Sequence, residues 1–244
     1  MSNFGDDSLS EASLVTALPI LLGEAGVDRA ELESVERPAS FRGSSVSDEA
    51  KVITASAREE HLSRGFGFWE FALEQSVETD WQTRRGLLKG ALKHSPNSSS
   101  SRFTLSVNEL GDRLATGAWE GMPARTMVNL CSRVLDKDGL VAHLVMLDFG
   151  VSSEVDSAPD VACEVVAELG LRGAVFSSGR SFHFISNELM TEKEFISTLA
   201  SAQLLSPLID SRWISHQLID LECKLRISTD SERNRVPHKL IDYI

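Results

Sequence analysis

The order of periodicities along this chain predicts an α+β fold, a sheet covered by helices on at least one face. Two observations carry that expectation. From residue 103 onward, segments with the 3.6-residue period of a helix alternate with short runs rich in Val, Leu, Ile and Phe. With 244 residues and 42% hydrophobic content, the chain can also bury a sizeable core, as one large domain or two small ones.

Residues 1 to about 60 are acidic and rich in Ser, Glu and Ala, with one helical stretch near Leu14 to Leu22. That composition predicts partial disorder before residue 50. In residues 66–93, Trp69, Leu73, Val77 and Trp81 recur at fourfold spacing and predict one amphipathic helix. "HSPNSSSSR" follows, with Pro96 and four consecutive serines, and reads as a flexible connection. The chain therefore divides into a partly disordered, mainly helical region, residues 1–95, and an α+β domain, residues 103–244. In that domain "ARTMVNLCSRVL" reads as a helix and "HLVMLDFG" as a strand. "DVACEVVAELG" is a helix closed by Gly170, and "AVFSSGRSFHFIS" is two strands around a Gly-containing turn. "EKEFISTLASAQLL" and "SRWISHQLIDL" are helices, and "CKLRIST" is the last strand.

Composition narrows the function. No window reaches the roughly 18 uninterrupted apolar residues of a membrane span, and "MSNFGDDSLSEAS" lacks the basic segment of a secretory signal. A cytoplasmic protein without membrane contact is expected. Cys131, Cys163 and Cys223 lack CxxC spacing, which argues against a zinc knuckle or a disulfide framework. The net charge of −12 opposes nonspecific binding to a polyanion, so any nucleic-acid contact must be local, weak or assisted by a protein partner.

Three stretches carry chemistry. "LVMLDFG" ends an apolar strand in Asp148, which by strand alternation shares a face with Met146 and Gly150. "SSGRSFHF" places Ser181 and His183 on one strand face, after a donor-rich turn containing Ser178 and Arg180 that suits a phosphate. "LIDSRWISHQL" puts Asp210 just before a helix, where it reads as an N-cap or as a metal-binding carboxylate. On local pattern alone, the favoured reading is a hairpin whose small polar residues turn the chain and whose His183 is a satisfied sheet histidine.

In this order the stretches resemble the archaeo-eukaryotic primases, including the primase-polymerases. That family has an hhhDhD/E strand, an sxH motif after a small-residue turn, and an hD motif followed by a basic strand. The resemblance covers roughly residues 103–244 and implies a primase-polymerase-like core, a mixed or antiparallel sheet flanked by helices. It further implies that Asp148 and Asp210 bind Mg²⁺ or Mn²⁺, and that Ser178, Arg180, Ser181 and His183 contact a nucleoside triphosphate. Lys224 and Arg226, in the strand after the third motif, would neutralise its phosphates. Asp148, His183 and Asp210 would be the catalytic set.

One element of the pattern is missing. The family's second first-motif acid falls at Gly150; Glu154 and Asp156 in the following loop are candidate substitutes, and otherwise the site holds a single ion, or none tightly. Two readings follow: a metal-dependent nucleotidyltransferase of primase or polymerase type, or a catalytically inactive primase-like module that binds a nucleotide or nucleic acid, or acts as a scaffold in a larger complex. A hydrolase using Ser178 or Ser181 with His183 is disfavoured, because the sequence has no GxSxG elbow and neighbours on one short strand present a nucleophile poorly to a base.

Overall fold

A computed structural model of the chain describes residues 13–36, 47–64, 67–92, 99–117, 126–228 and 239–244. Two compact units emerge, one containing residues up to 37 together with those from 99 onward, the other containing residues 38–98. The division departs from the expected boundary. Residues 13–36 form helix α1 (Leu14–Glu24) and strand β1 (Val27–Glu36), and both belong to the sheet-bearing unit. Local composition missed β1 because its order comes from pairing: it lies antiparallel between two strands distant in sequence, with Ala30 and Leu32 buried on one face.

The second unit holds α2 (Asp48–Arg64), α3 (Phe68–Gln75) and α4 (Trp81–Ala91). The single helix expected over residues 66–93 is broken by a 3-10 turn (Ser76–Glu78), after which the Asp80 carboxylate accepts the Gln82 and Thr83 N–H groups and starts α4 afresh.

Strand β2 (Ser99–Ser106) then returns beside β1, in register from Arg29↔Ser106 to Glu36↔Ser99. Three of the four consecutive serines, expected in a flexible connection, therefore lie in this strand. Ser106 closes a capping box with Glu109 and opens α5 (Val107–Thr116), whose Leu110 and Leu114 are buried with Leu14, Leu18, Leu21 and Leu22 of α1.

The stretch expected as a helix, "ARTMVNLCSRVL", contributes to β3 (Thr126–Asp136). Its helical spacing is overridden by β1 along one edge. Along the other edge lie β4 (Val141–Asp148), paired at Arg133, Val134 and Leu135, and β7 (Lys224–Arg226), paired at Asn129, Leu130 and Cys131. The remaining elements follow the sequence reading: α6 (Ala158–Glu168), β5 (Gly173–Ser177), β6 (Phe182–Met190), α7 (Glu192–Gln203) and α8 (Ser211–Asp220). A last strand, β8 (Lys239–Tyr243), was not foreseen and pairs with β5.

The result is an eight-stranded antiparallel sheet in the order β2-β1-β3-β4-β6-β5-β8, with β7 beside β3. Residues 144–147 of β4, near its centre, are fully buried. Phe195 of α7 stacks on His143 at 4.7 Å between ring centroids. No helix among the described residues is long and apolar enough to cross a membrane.

Gly173 seats β5 against β6. Its φ of 153° disfavours side chains, and a Cβ there would lie 2.2 Å from the Ile185 carbonyl oxygen. Gly170 also has positive φ, 67°, but faces open space. We expect Gly173→Ala to cost about 2–4 kcal/mol in urea unfolding and Gly170→Ala about 1 kcal/mol. Equal costs would show that the β5–β6 packing does not depend on the missing Cβ.

Candidate functional site

The candidate site begins where the apolar run of β4 ends. Four buried residues hold the strand in the core, so Asp148 emerges at its last position with 29% of its side chain in solvent. On one side stands β6, in which His183 is the direct cross-strand partner of Asp148, its Nε2 3.5 Å from the carboxylate Oδ1. On the other side residues 208–210 run antiparallel to residues 148–150. Phe149 bridges Ile209, the Gly150 N–H donates to the Leu208 carbonyl at 2.9 Å, and the Asp210 N–H donates to the Asp148 carbonyl at 2.9 Å. Asp210, Asp148 and His183 thus stand side by side in one row. Cross-strand neighbours share a sheet face, which is why residues 62 positions apart in sequence meet here.

Each flank adds a constraint. The Asp210 carboxylate accepts the Trp213 N–H at 2.9 Å, so it does cap α8, and its charge acts on both Arg212 and Asp148. The turn before β6 is closed by the Ser178 N–H donating to the Ser181 carbonyl, with Gly179 at a φ of 95°. The Ser181 hydroxyl donates to the Phe149 carbonyl and ties this turn to the end of β4. The Ser153 N–H donates to the Arg180 carbonyl at 2.9 Å, while the Arg180 side chain is exposed.

Lys224 and Arg226 are disposed differently. Among the described residues the Lys224 ammonium pairs with Glu33 at 3.5 Å, Asp220 at 3.6 Å and Glu222 at 3.8 Å. Arg102 joins the same cluster, 2.6 Å from Glu222 and 2.8 Å from Glu31. Arg226, across from Asn129, donates to the Ser228 carbonyl. The sequence reading passed over Arg212, which adjoins Asp210 and is the nearest cation in sequence to the third motif; its position two residues after an N-cap aspartate was the available signal.

The electrostatics follow from burial. Loss of solvent, then the charge of Asp210, raises the Asp148 carboxyl from its ordinary 3.8 to about 7. Much of it is therefore neutral below pH 7.

A metal pair needs more donors than this row offers. Among the described residues, no group of three or more His, Cys, Asp or Glu could hold a metal ion. Position 150 shows why. A Cβ at Gly150 would lie 2.5 Å from the Pro207 carbonyl oxygen, so no acid fits there while residues 208–210 remain paired to β4. Glu154 and Asp156 lie in the exposed loop beyond. The described residues of this row do not fit a two-ion centre of Mg²⁺ or Mn²⁺.

A family model described as "AEP-like: Archaeo-eukaryotic primase 1D-like" matches residues 106–239, more than half of the chain. No curated protein and no solved structure matches it.

Two outcomes test this geometry. Gly150→Ala should cost about 1–3 kcal/mol by overpacking against backbone, read in urea unfolding; a neutral substitution would mean that residues 206–210 are not held as described. Asp148→Asn should stabilise the protein above pH 7. With a folded pKa above the unfolded one, the wild type has its full contribution below pH 3.8 and loses it as pH rises through about 7. The full displacement corresponds to roughly 4 kcal/mol. Because part of the side chain meets solvent, we expect about 1–2 kcal/mol between the two proteins at pH 8, shrinking toward pH 4.

Proposed function

Because the chain belongs to the archaeo-eukaryotic primase 1D-like family, we propose that it retains the family's fold as a phosphate-recognising module and does not carry out two-metal nucleotidyl transfer. Its ligand in this reading is the phosphate of a nucleoside triphosphate or of a nucleic-acid end, and its role is to bind or scaffold within a larger complex. The observation that carries the reading is the contact awaiting any side chain at Gly150, 2.5 Å from the Pro207 carbonyl oxygen. Backbone, which does not swing aside as a side-chain tip does, excludes the second first-motif acid.

Charge supports the same reading. A metal-loaded primase row needs ionised carboxylates to hold its cations, whereas here Asp148 is held toward its neutral form. Neutral Asp148 removes a negative charge from the row, with Arg212 close to Asp210 and Arg180 exposed on the turn before His183. A phosphate then meets His183 and these guanidinium groups with little repulsion, and no cation is required to bring it in. The basic pair assigned to the triphosphate by resemblance contributes less, because the Lys224 ammonium already has three carboxylates around it. With a net charge of −12, longer contact with a nucleic-acid strand relies on a partner.

Calorimetric titration of a nucleoside triphosphate tests this directly. Affinity should be the same within about threefold in EDTA and in Mg²⁺, and His183→Ala or Arg180→Ala should weaken it about tenfold. It should also weaken as pH rises from 6 to 8, where Asp148 becomes charged, and that slope should vanish in Asp148→Asn. Binding abolished by EDTA, or primer extension by the wild type in Mn²⁺, would overturn the proposal and return the row to catalysis.

A further inference from the structure

The helical unit has a face that its own packing leaves unused. Helix α4 turns Thr83, Leu87 and Ala91 inward, at successive spacings of four residues. There Thr83 is hydrogen-bonded to Ser47 and Asp80, and Trp69 lies against Gly90 closely enough that a Cβ would meet its ring at 2.7 Å. The opposite side carries Trp81 at 62% exposure, Leu88 at 47% and, just past the helix end, Leu92 at 74%. Spaced i, i+7 and i+11, these three fall on one line along the helix. Arg85 belongs to the same line, its guanidinium 5.8 Å from the Trp81 ring centre, and exposed Lys89 lies just beside it. Val77, in the preceding 3-10 turn, is exposed as well.

Charge selects the occupant. Within α4 there is no acidic residue, whereas the chain as a whole carries −12. A second copy of this helix would set cation against cation. A nucleic-acid strand would find one exposed aromatic ring and two flanking cations, and then leucines, which neither stack with bases nor pair with phosphates. An apolar line edged by two cations is complementary to an amphipathic helix whose apolar face is bordered by Asp or Glu.

The topology is compatible with such a role. The unit is inserted in the connection between β1 and β2, which pair directly from Glu36↔Ser99 inward, so the sheet closes without it. We infer that the exposed line of α4, formed by Trp81, Leu88 and Leu92 with Arg85 and Lys89, is a docking surface for an acidic amphipathic helix of a partner protein. This inference is independent of the phosphate-binding proposal.

The test uses the full chain and a fluorescently labelled synthetic helical peptide with leucines at i, i+4, i+7 and i+11 and flanking glutamates. A version with lysines for the glutamates and a single-stranded oligo-dT serve as comparisons, and binding is followed by anisotropy. The acidic peptide should bind the wild type at least about tenfold more tightly than the basic one. Leu88→Ser should weaken it about tenfold, and the double variant Arg85→Glu, Lys89→Glu should reverse the preference between the peptides. All substituted side chains are exposed, and a melting curve for each variant confirms folding. Three outcomes would overturn the inference: equal binding of both peptides, tight oligo-dT binding lost in Leu88→Ser, or a concentration-dependent dimer of the wild type in light scattering that Leu88→Ser abolishes.

Discussion

The backbone pairing of residues 208–210 with the end of β4 is the constraint on which the rest of the site depends. Two N–H···O=C bonds, Asp210 to Asp148 and Gly150 to Leu208, bring the third motif against the first. They set Asp210 beside Asp148, which the β4–β6 register sets beside His183. The same pairing brings the Pro207 carbonyl over Gly150 and closes the space that a second acid would need. Assembly of the row and exclusion of any side chain at position 150 are therefore two consequences of one backbone approach. Glycine is required there by the proximity of that carbonyl oxygen.

Burial sets the electrical character of the row. Asp148 stands at the boundary between a fully buried strand and solvent, with a like charge next to it, and each factor favours its neutral form. A few strands away the chain handles charge in the opposite manner. Glu31, Glu33, Asp220 and Glu222 share Arg102 and Lys224 in a network of ion pairs, beside which burial raises the Cys131 thiol beyond the ordinary range. Breaking one member of such a network strands another buried charge, which makes Lys224 a structural cation first.

The topology separates what the sheet needs from what it carries. α1, β1, β2 and α5 complete one edge of the sheet and its leucine-rich cover, although α1 and β1 precede the helical insert and β2 and α5 follow it. An insert whose flanking strands already pair is free to vary its outer surface, since packing on its inner side is satisfied by Thr83, Leu87, Ala91 and Trp69. The exposed line on α4 is therefore not a requirement of folding.

By itself the sequence determined what local periodicity and side-chain chemistry encode: strand β4 ending in Asp148, the β5–β6 turn leading to His183, the helices α6 to α8, Asp210 as the cap of α8, and the order of motifs that marks the primase family. Tertiary structure decided the matters that depend on distant partners. Residues 126–136 have helical spacing but became β3, because β1, β4 and β7 supply its hydrogen bonds. The acidic stretch of residues 27–36 became β1 for the same reason, and most of the serine run became its neighbour. Position 150 was legible as a missing acid, yet the cause lies 57 residues away in the Pro207 carbonyl, and no property of "LVMLDFG" encodes it. Lys224, basic in the right strand, is claimed by Glu33, Asp220 and Glu222, since a charge is assigned by what surrounds it in space.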